Sequence, residues 1–137
     1  MRREIVEAIV EGLEDSGEFK RVYKNVGLHW SQIREFPAAA VIYESEEKDL
    51  DNSTNRSNYF KGNVQIILYN KQPKTSYDDI LTDLIDETYK VIDDSEFLRC
   101  NTISTDASSF KRDGGLAWPY AVAVLDLEVR FKHLCSV

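Results

Sequence analysis

Polar and apolar residues alternate with a period of two along Asn58 to Asn70, NYFKGNVQIILYN. Phe60, Val64, Ile66 and Leu68 take the even positions, and the odd positions stay mostly polar until Ile67 and Tyr69. Successive strand side chains point to opposite faces, so the pattern predicts a long strand with one buried and one partly wet face. The period then changes. Tyr77, Ile80, Leu81, Leu84, Ile85, Thr88, Tyr89 and Ile92 recur at three- and four-residue steps and predict a helix over Ser76 to Asp94. Ser76 supplies a capping hydroxyl, and Asp78 and Asp79 sit in the first turn, at the positive end of the helix dipole.

The other elements are read as packing on this pair. Ile5, Val6, Ile9, Val10 and Leu13 make Arg2 to Asp15 an amphipathic helix that stops at Ser16-Gly17. Phe19 to Val26 is a short, lysine-bearing strand of the kind found at sheet edges. His29 to Phe36 is irregular and carries Trp30. After Pro37, Ala38 to Glu44 forms a strand whose alanines admit close packing and whose Val41, Ile42 and Tyr43 favour β structure.

Glu44 to Ser57 is a polar loop, longer than a hairpin needs, and is expected to be a mobile tip or an extended arm that orders on assembly. Deleting Glu46 to Asn55 is accordingly expected to leave the fold intact. Phe97 to Thr105 reads as a strand, and Asp106 to Pro119 as a second long loop turning at Gly114-Gly115. Tyr120 to Lys132 closes the pattern as a long strand, with Ala121, Ala123, Leu125, Leu127, Val129 and Phe131 on one side. Asp126, Glu128, Arg130 and Lys132 lie on the other. The order is α-β-β-β-α-β-β in a single domain over residues 1–137. The fold class is α+β, a mainly antiparallel sheet with two helices packed on one face.

Charge narrows the function. The 137 residues carry a formal net charge of −7. Nonspecific nucleic-acid binding is driven by basic groups that neutralise phosphates, and anionic membrane surfaces select basic groups too, so both roles are disfavoured. Glu4, Glu7 and Glu11 break the apolar run a signal peptide needs, and no stretch approaches membrane-spanning length. The chain is expected to fold in the cytoplasm, with Cys100 and Cys135 as reduced thiols.

Candidate chemistry is weak. Asp49, Asp51, Ser53 and Asn55 alternate as calcium-loop ligands do, but Thr54 replaces the required glycine and Phe60 the closing glutamate. Asp79, Asp83 and Asp86 share a helix side that an amphipathic helix leaves wet in any case. His133 and Cys135 are two apart, without an orienting third group. No catalytic, cofactor-binding or metal residue is assigned. The basic residues Lys20, Arg21, Lys24, Arg56, Lys61, Lys71, Lys74, Lys111 and Arg112 scatter over strands and connectors, either as solvated surface or as partners for acidic patches on a neighbouring subunit.

The order of elements resembles the tail terminator, or tail completion, proteins of long-tailed bacteriophages. The features that carry the resemblance run nearly the length of the chain. They are the helix ending near Leu13, Trp30 followed by Phe36-Pro37-Ala38-Ala39, the polar loop, the strand Val64 to Tyr69 with Lys71, the helix bearing Asp79, Leu81, Leu84 and Ile85, and the strand Ala121 to Phe131. The resemblance implies a structural virion protein of the tail or neck, assembled in the host cytoplasm, with no cofactor and no reaction. It implies a homo-oligomeric ring, commonly a hexamer, that caps the tail tube protein, stops tube growth and joins the head–tail connector protein. Contact with a tail sheath is implied in contractile tails, and DNA passes through the lumen without specific binding. Head–tail connector proteins of the same phages are similar in size and fold and stand as the alternative, ahead of a small enzyme or adaptor using the acidic helix face. The contacts are assigned to the two polar loops: Glu46, Glu47, Asp49, Asp51 and Arg56 in the first, and Lys111, Arg112 and Trp118 in the second. Trp118 either anchors a partner, as interface tryptophans do, or caps the sheet.

Overall fold

The structure, a computed structural model, describes residues 1–51, 53, 58–71, 77–112 and 120–132; the side chains of residues 30, 77–80, 108 and 112 lie outside that description. In chain order it contains α1 (Arg2–Asp15), β1 (Arg21–Lys24), a 3₁₀ turn (Trp30–Gln32), β2 (Ala38–Lys48), β3 (Tyr59–Lys71), α2 (Tyr77–Asp94), α3 (Glu96–Asn101), β4 (Ser104–Arg112) and β5 (Tyr120–Lys132). The class is α+β.

The five strands are ordered β1-β2-β3-β5-β4, so the strand the sequence pattern singled out, β3, is the central one. It pairs antiparallel with β2, where Val41 faces Ile66, and with β5 along its whole length, from Tyr59–Lys132 to Lys71–Tyr120. β4 is antiparallel to β5, but β1 runs parallel to β2, so the sheet is mixed. A parallel neighbour needs a long return connection. The segment between Lys24 and Ala38 supplies one, and it contains a cis bond at Phe36–Pro37.

Period-two alternation divides the sheet cleanly. One face carries Ala39, Val41, Val64, Ile66, Leu68 and the odd-numbered positions of β5 from Ala121 to Phe131, all buried. Against it lie Ile5, Val6, Ile9, Val10 and Leu13 of α1 and Leu81, Leu84, Ile85 and Ile92 of α2, in the same cluster. Each such side chain contributes about 1.5–3 kcal/mol when fully buried. Thr88 sits among them with no exposure, and its hydroxyl donates to the Leu84 carbonyl at 2.8 Å, so no polar atom is stranded there.

Three expectations require correction. Phe97 to Thr105 is not a strand: its first part is α3, where Ser95 accepts a hydrogen bond from the Leu98 N–H at 3.3 Å and Leu98 is buried. A hydroxyl cap over a six-residue helix outweighs the β preference of so short an apolar run. The first half of the supposed second loop, Asp106 to Arg112, is strand, because β4 continues to Arg112; residues 113–119 lie outside the described residues. Its sequence STDASSFKR shows almost no apolar alternation; only the long edge of β5 reveals it. In the same way β2 runs on to Lys48, through residues whose polarity suggested a loop.

Candidate functional site

The face of the sheet turned away from the helical core has two unlike halves. In one, Leu28, Ile33 and Phe36 of the β1–β2 connector fold over Tyr23, Ala38, Ala40, Ile67, Tyr69 and Val122. The Tyr69 hydroxyl fastens this flap by donating to the Leu28 carbonyl at 2.6 Å. In the other half the strands carry polar residues and no described element covers them. A concavity of about 630 Å3 opens there, lined from β2, β3 and β5 by Glu44, Ser45, Glu47, Lys61, Asn63, Gln65, Asp126 and Glu128, with Glu46 and Gly62 at its margin.

Its electrostatics are acidic, with Lys61 the lone cation of the lining. Asn63 Nδ2 donates to Glu44 at 3.2 Å, Ser109 Oγ to Asp126 at 3.4 Å, and Arg130 Nε to Glu128 at 3.0 Å. The Glu128 contact holds the Arg130 guanidinium charged still more firmly than usual. Glu47 faces Lys61 in the β2–β3 register, and on the opposite edge of the sheet Lys111 faces Val124. These two are exposed.

The residues assigned to contacts from sequence separate into distinct roles. Glu46 lies on the helix side of the sheet, where Arg2 Nε donates to its Oε1 at 2.6 Å and the Tyr43 hydroxyl to its Oε2 at 2.8 Å. It therefore anchors the start of α1 to β2. Asp49 is not on a mobile arm. Its side chain is fully buried, its N–H donates to Tyr59 O at 2.8 Å, and its Oδ2 lies 4.0 Å from Arg130 Nη1. Ser53 closes the same turn, its N–H donating to Asp49 O at 3.0 Å. Beyond Asp49, Leu50 is 78% exposed and Asp51 is exposed. Lys111 and Arg112 end β4 rather than belonging to a loop. Arg56 and Trp118 lie outside the described residues, as does Asn55 of the calcium-like pattern.

No group of histidine, cysteine, aspartate and glutamate side chains is placed to hold a metal among the described residues. Asp83 and Asp86 of α2 are exposed, as is Cys100 on α3. Asp126 and Glu128 lie outside the two loops to which the sequence assigned contacts, whereas Lys61 was expected as a possible partner for a neighbour's acidic patch. The available signal was the strict apolar/polar alternation of β5, which leaves its acids on one side.

Gly62 leaves the space that the Tyr43 ring occupies beside Glu46. A Cβ at this position falls 2.4 Å from Tyr43 Oη and 2.8 Å from Cζ. The Tyr43 ring is not free to give way, because its hydroxyl is held by Glu46. Gly62→Ala is expected to displace the ring, part the Tyr43–Glu46 contact and destabilise the fold by about 1–3 kcal/mol in urea denaturation. An unchanged midpoint contradicts this account.

Burial pushes the phenols of Tyr43, Tyr69 and Tyr89 up; the hydrogen bond to Glu46 pushes Tyr43 further, and the nearby negative charge of Asp86 pushes Tyr89 further. A raised folded pKa contributes stability that is complete below the unfolded value of 10.0 and lost as pH climbs through the folded one. Alkaline titration followed by tyrosinate absorbance is expected to show these three ionising late, together with unfolding. Tyr43→Phe removes part of the late amplitude. A single titration of all seven tyrosines near pH 10.0 refutes it.

Fold and surface together define a small α+β domain with one sheet face committed to its core and half of the other left polar and acidic. The family model of bacteriophage tail tube terminator proteins matches residues 1–137, the whole chain, and the chain belongs to that family. The family is structural, and its members are components of the phage tail. A search of curated protein sequences returns no significant match.

Proposed function

We propose that the chain assembles into a homo-oligomeric ring, a hexamer, on the last ring of the tail tube protein. There it ends tube growth and offers the surface to which the head–tail connector protein joins. The observation that carries this reading is the family match along the full chain. The shape of the subunit supports it. A ring subunit works through edges and faces that meet neighbours, and this sheet has two exposed strand edges and a polar half-face among the described residues. An acidic face also suits a conduit, because like charge keeps passing DNA from adhering. Glu47, Asp51 and Lys111 are the assigned contact residues that remain exposed in described segments.

Electron microscopy of particles made without the protein tests the proposal. Tails longer than normal are expected. Tails of normal length detached from heads assign the chain to head joining instead.

A further inference from the structure

We propose that neighbouring copies join edge to edge, the distal half of β2 in one copy pairing antiparallel with β4 of the next, so that the sheet continues from subunit to subunit. This rests on the ring reading and names the surfaces that form it. The first edge is created by the shortness of β1. That strand pairs only with Ala38 to Val41 of β2. Asn25 then turns away with φ 55°, its N–H donating to Val41 O at 2.7 Å and its Oδ1 accepting from the Tyr43 N–H at 3.2 Å. Glu44 to Lys48 is left with β3 on one side and no strand on the other, among the described residues. The second edge is β4, nine residues long and paired with β5 alone among the described residues.

An uncovered strand edge is a row of unpaired backbone donors and acceptors that templates another strand. These two edges fit one another in charge and direction. The β2 edge reads Glu44-Ser45-Glu46-Glu47-Lys48, and β4 ends in Lys111-Arg112. Within one sheet β2 is parallel to β5 by way of β3, and β4 is antiparallel to β5. A copy that extends the sheet in the same orientation therefore brings β4 antiparallel to the next β2. The Asn25 turn stops β4 where its last residue lies beside Glu44, which puts Lys111 by Ser45 and Ser109 by Glu47.

Glu47 and Lys111 both lie on the open face, and neither side chain forms a hydrogen bond or ion pair among the described residues. Docked, they become diagonal neighbours, about 7–8 Å apart at the backbone and within reach of long side chains. The contact uses different surfaces on the two partners, so each copy has two neighbours and the chain of contacts closes as a ring or runs on. Bulges at Glu44 and Ser108, where the registers of both strands shift, supply local bend and twist.

The test uses tails assembled from variants of the full chain in which Cys100→Ser and Cys135→Ser remove the native thiols. Ser45→Cys combined with Ser109→Cys, treated with a short bis-maleimide, is expected to give a ladder of covalent multimers on a denaturing gel; either change alone gives monomer. Equal ladders from the single variants, or none from the pair on properly capped tails, overturn the interface. In parallel, Glu47→Lys or Lys111→Glu is expected to lower the fraction of capped tails roughly tenfold, and the double exchange to restore it. Circular dichroism confirms that each variant is folded. Wild-type capping by the single variants rejects the charge pairing while leaving the ring in place. Failure of an amine-reactive cross-linker to join any two wild-type copies on tails removes the ring and this interface together.

Discussion

Ile66→Asp is expected to abolish folding. Ile66 has no solvent exposure and sits in the middle of the central strand, facing Val41 on one side and Leu125 on the other. The helices close over the same cluster, so a carboxylate placed there reaches neither water nor a cation. Either the charge is buried unpaired or the acid protonates, and both alternatives add to the lost apolar contacts. Changes of this kind cost about 4–5 kcal/mol or more, against a total domain stability of about 5–15 kcal/mol. The expected observation is loss of the cooperative urea transition. Gln65→Lys, one residue earlier and on the open face, is expected to shift stability by no more than about 0.5 kcal/mol. Similar midpoints for the two variants contradict the assignment of the faces.

Phe131→Ala is the second large effect. The ring is fully buried near the end of β5, faces Phe60 in the register and lies 6.2 Å from it between centroids. Arg2 in turn stands 5.9 Å over the Phe60 ring. Removing the Phe131 ring leaves a cavity beneath the β2–β3 hairpin, at a cost of about 3–5 kcal/mol. The urea midpoint is expected to fall with an unchanged slope, because the surface exposed on unfolding is nearly the same. Hydrogen exchange near Glu46 and Asp49 is expected to quicken more than exchange around Ile66. A loss below about 1 kcal/mol shows that the hairpin base tolerates the cavity by collapsing.

The deletion of Glu46 to Asn55 shows how tertiary structure changes an expectation. From composition this segment is an arm that can be trimmed. In the structure it contains the last residues of β2, the carboxylate that holds Arg2 and Tyr43, and the buried Asp49. Its removal is therefore a lesion of the fold as well as of any contact surface. Polarity alone does not distinguish a solvated loop from an edge strand whose polar groups are satisfied by a guanidinium or a neighbouring backbone. The same ambiguity hid β4, where STDASSFKR offers no stripe to read. Phe97 and Leu98 misled in the opposite direction: two apolar residues suit a strand or a helix equally, and the Ser95 cap decided for the helix.

The sequence by itself determined the parts governed by period and burial. The bounds of α1 and β5, the even face of β3, the central place of that strand and the acid side of β5 all follow from apolar spacing, because burying that spacing admits one orientation. The family, too, was legible in the order of elements. Tertiary structure alone decided the parallel pairing of β1, the flap over half of the open face, the burial of Asp49 and the engagement of Glu46 by α1. Each of these depends on contacts between segments distant in the chain, where short polar stretches carry no periodic signal and the partner supplies the hydrogen bonds that fix them.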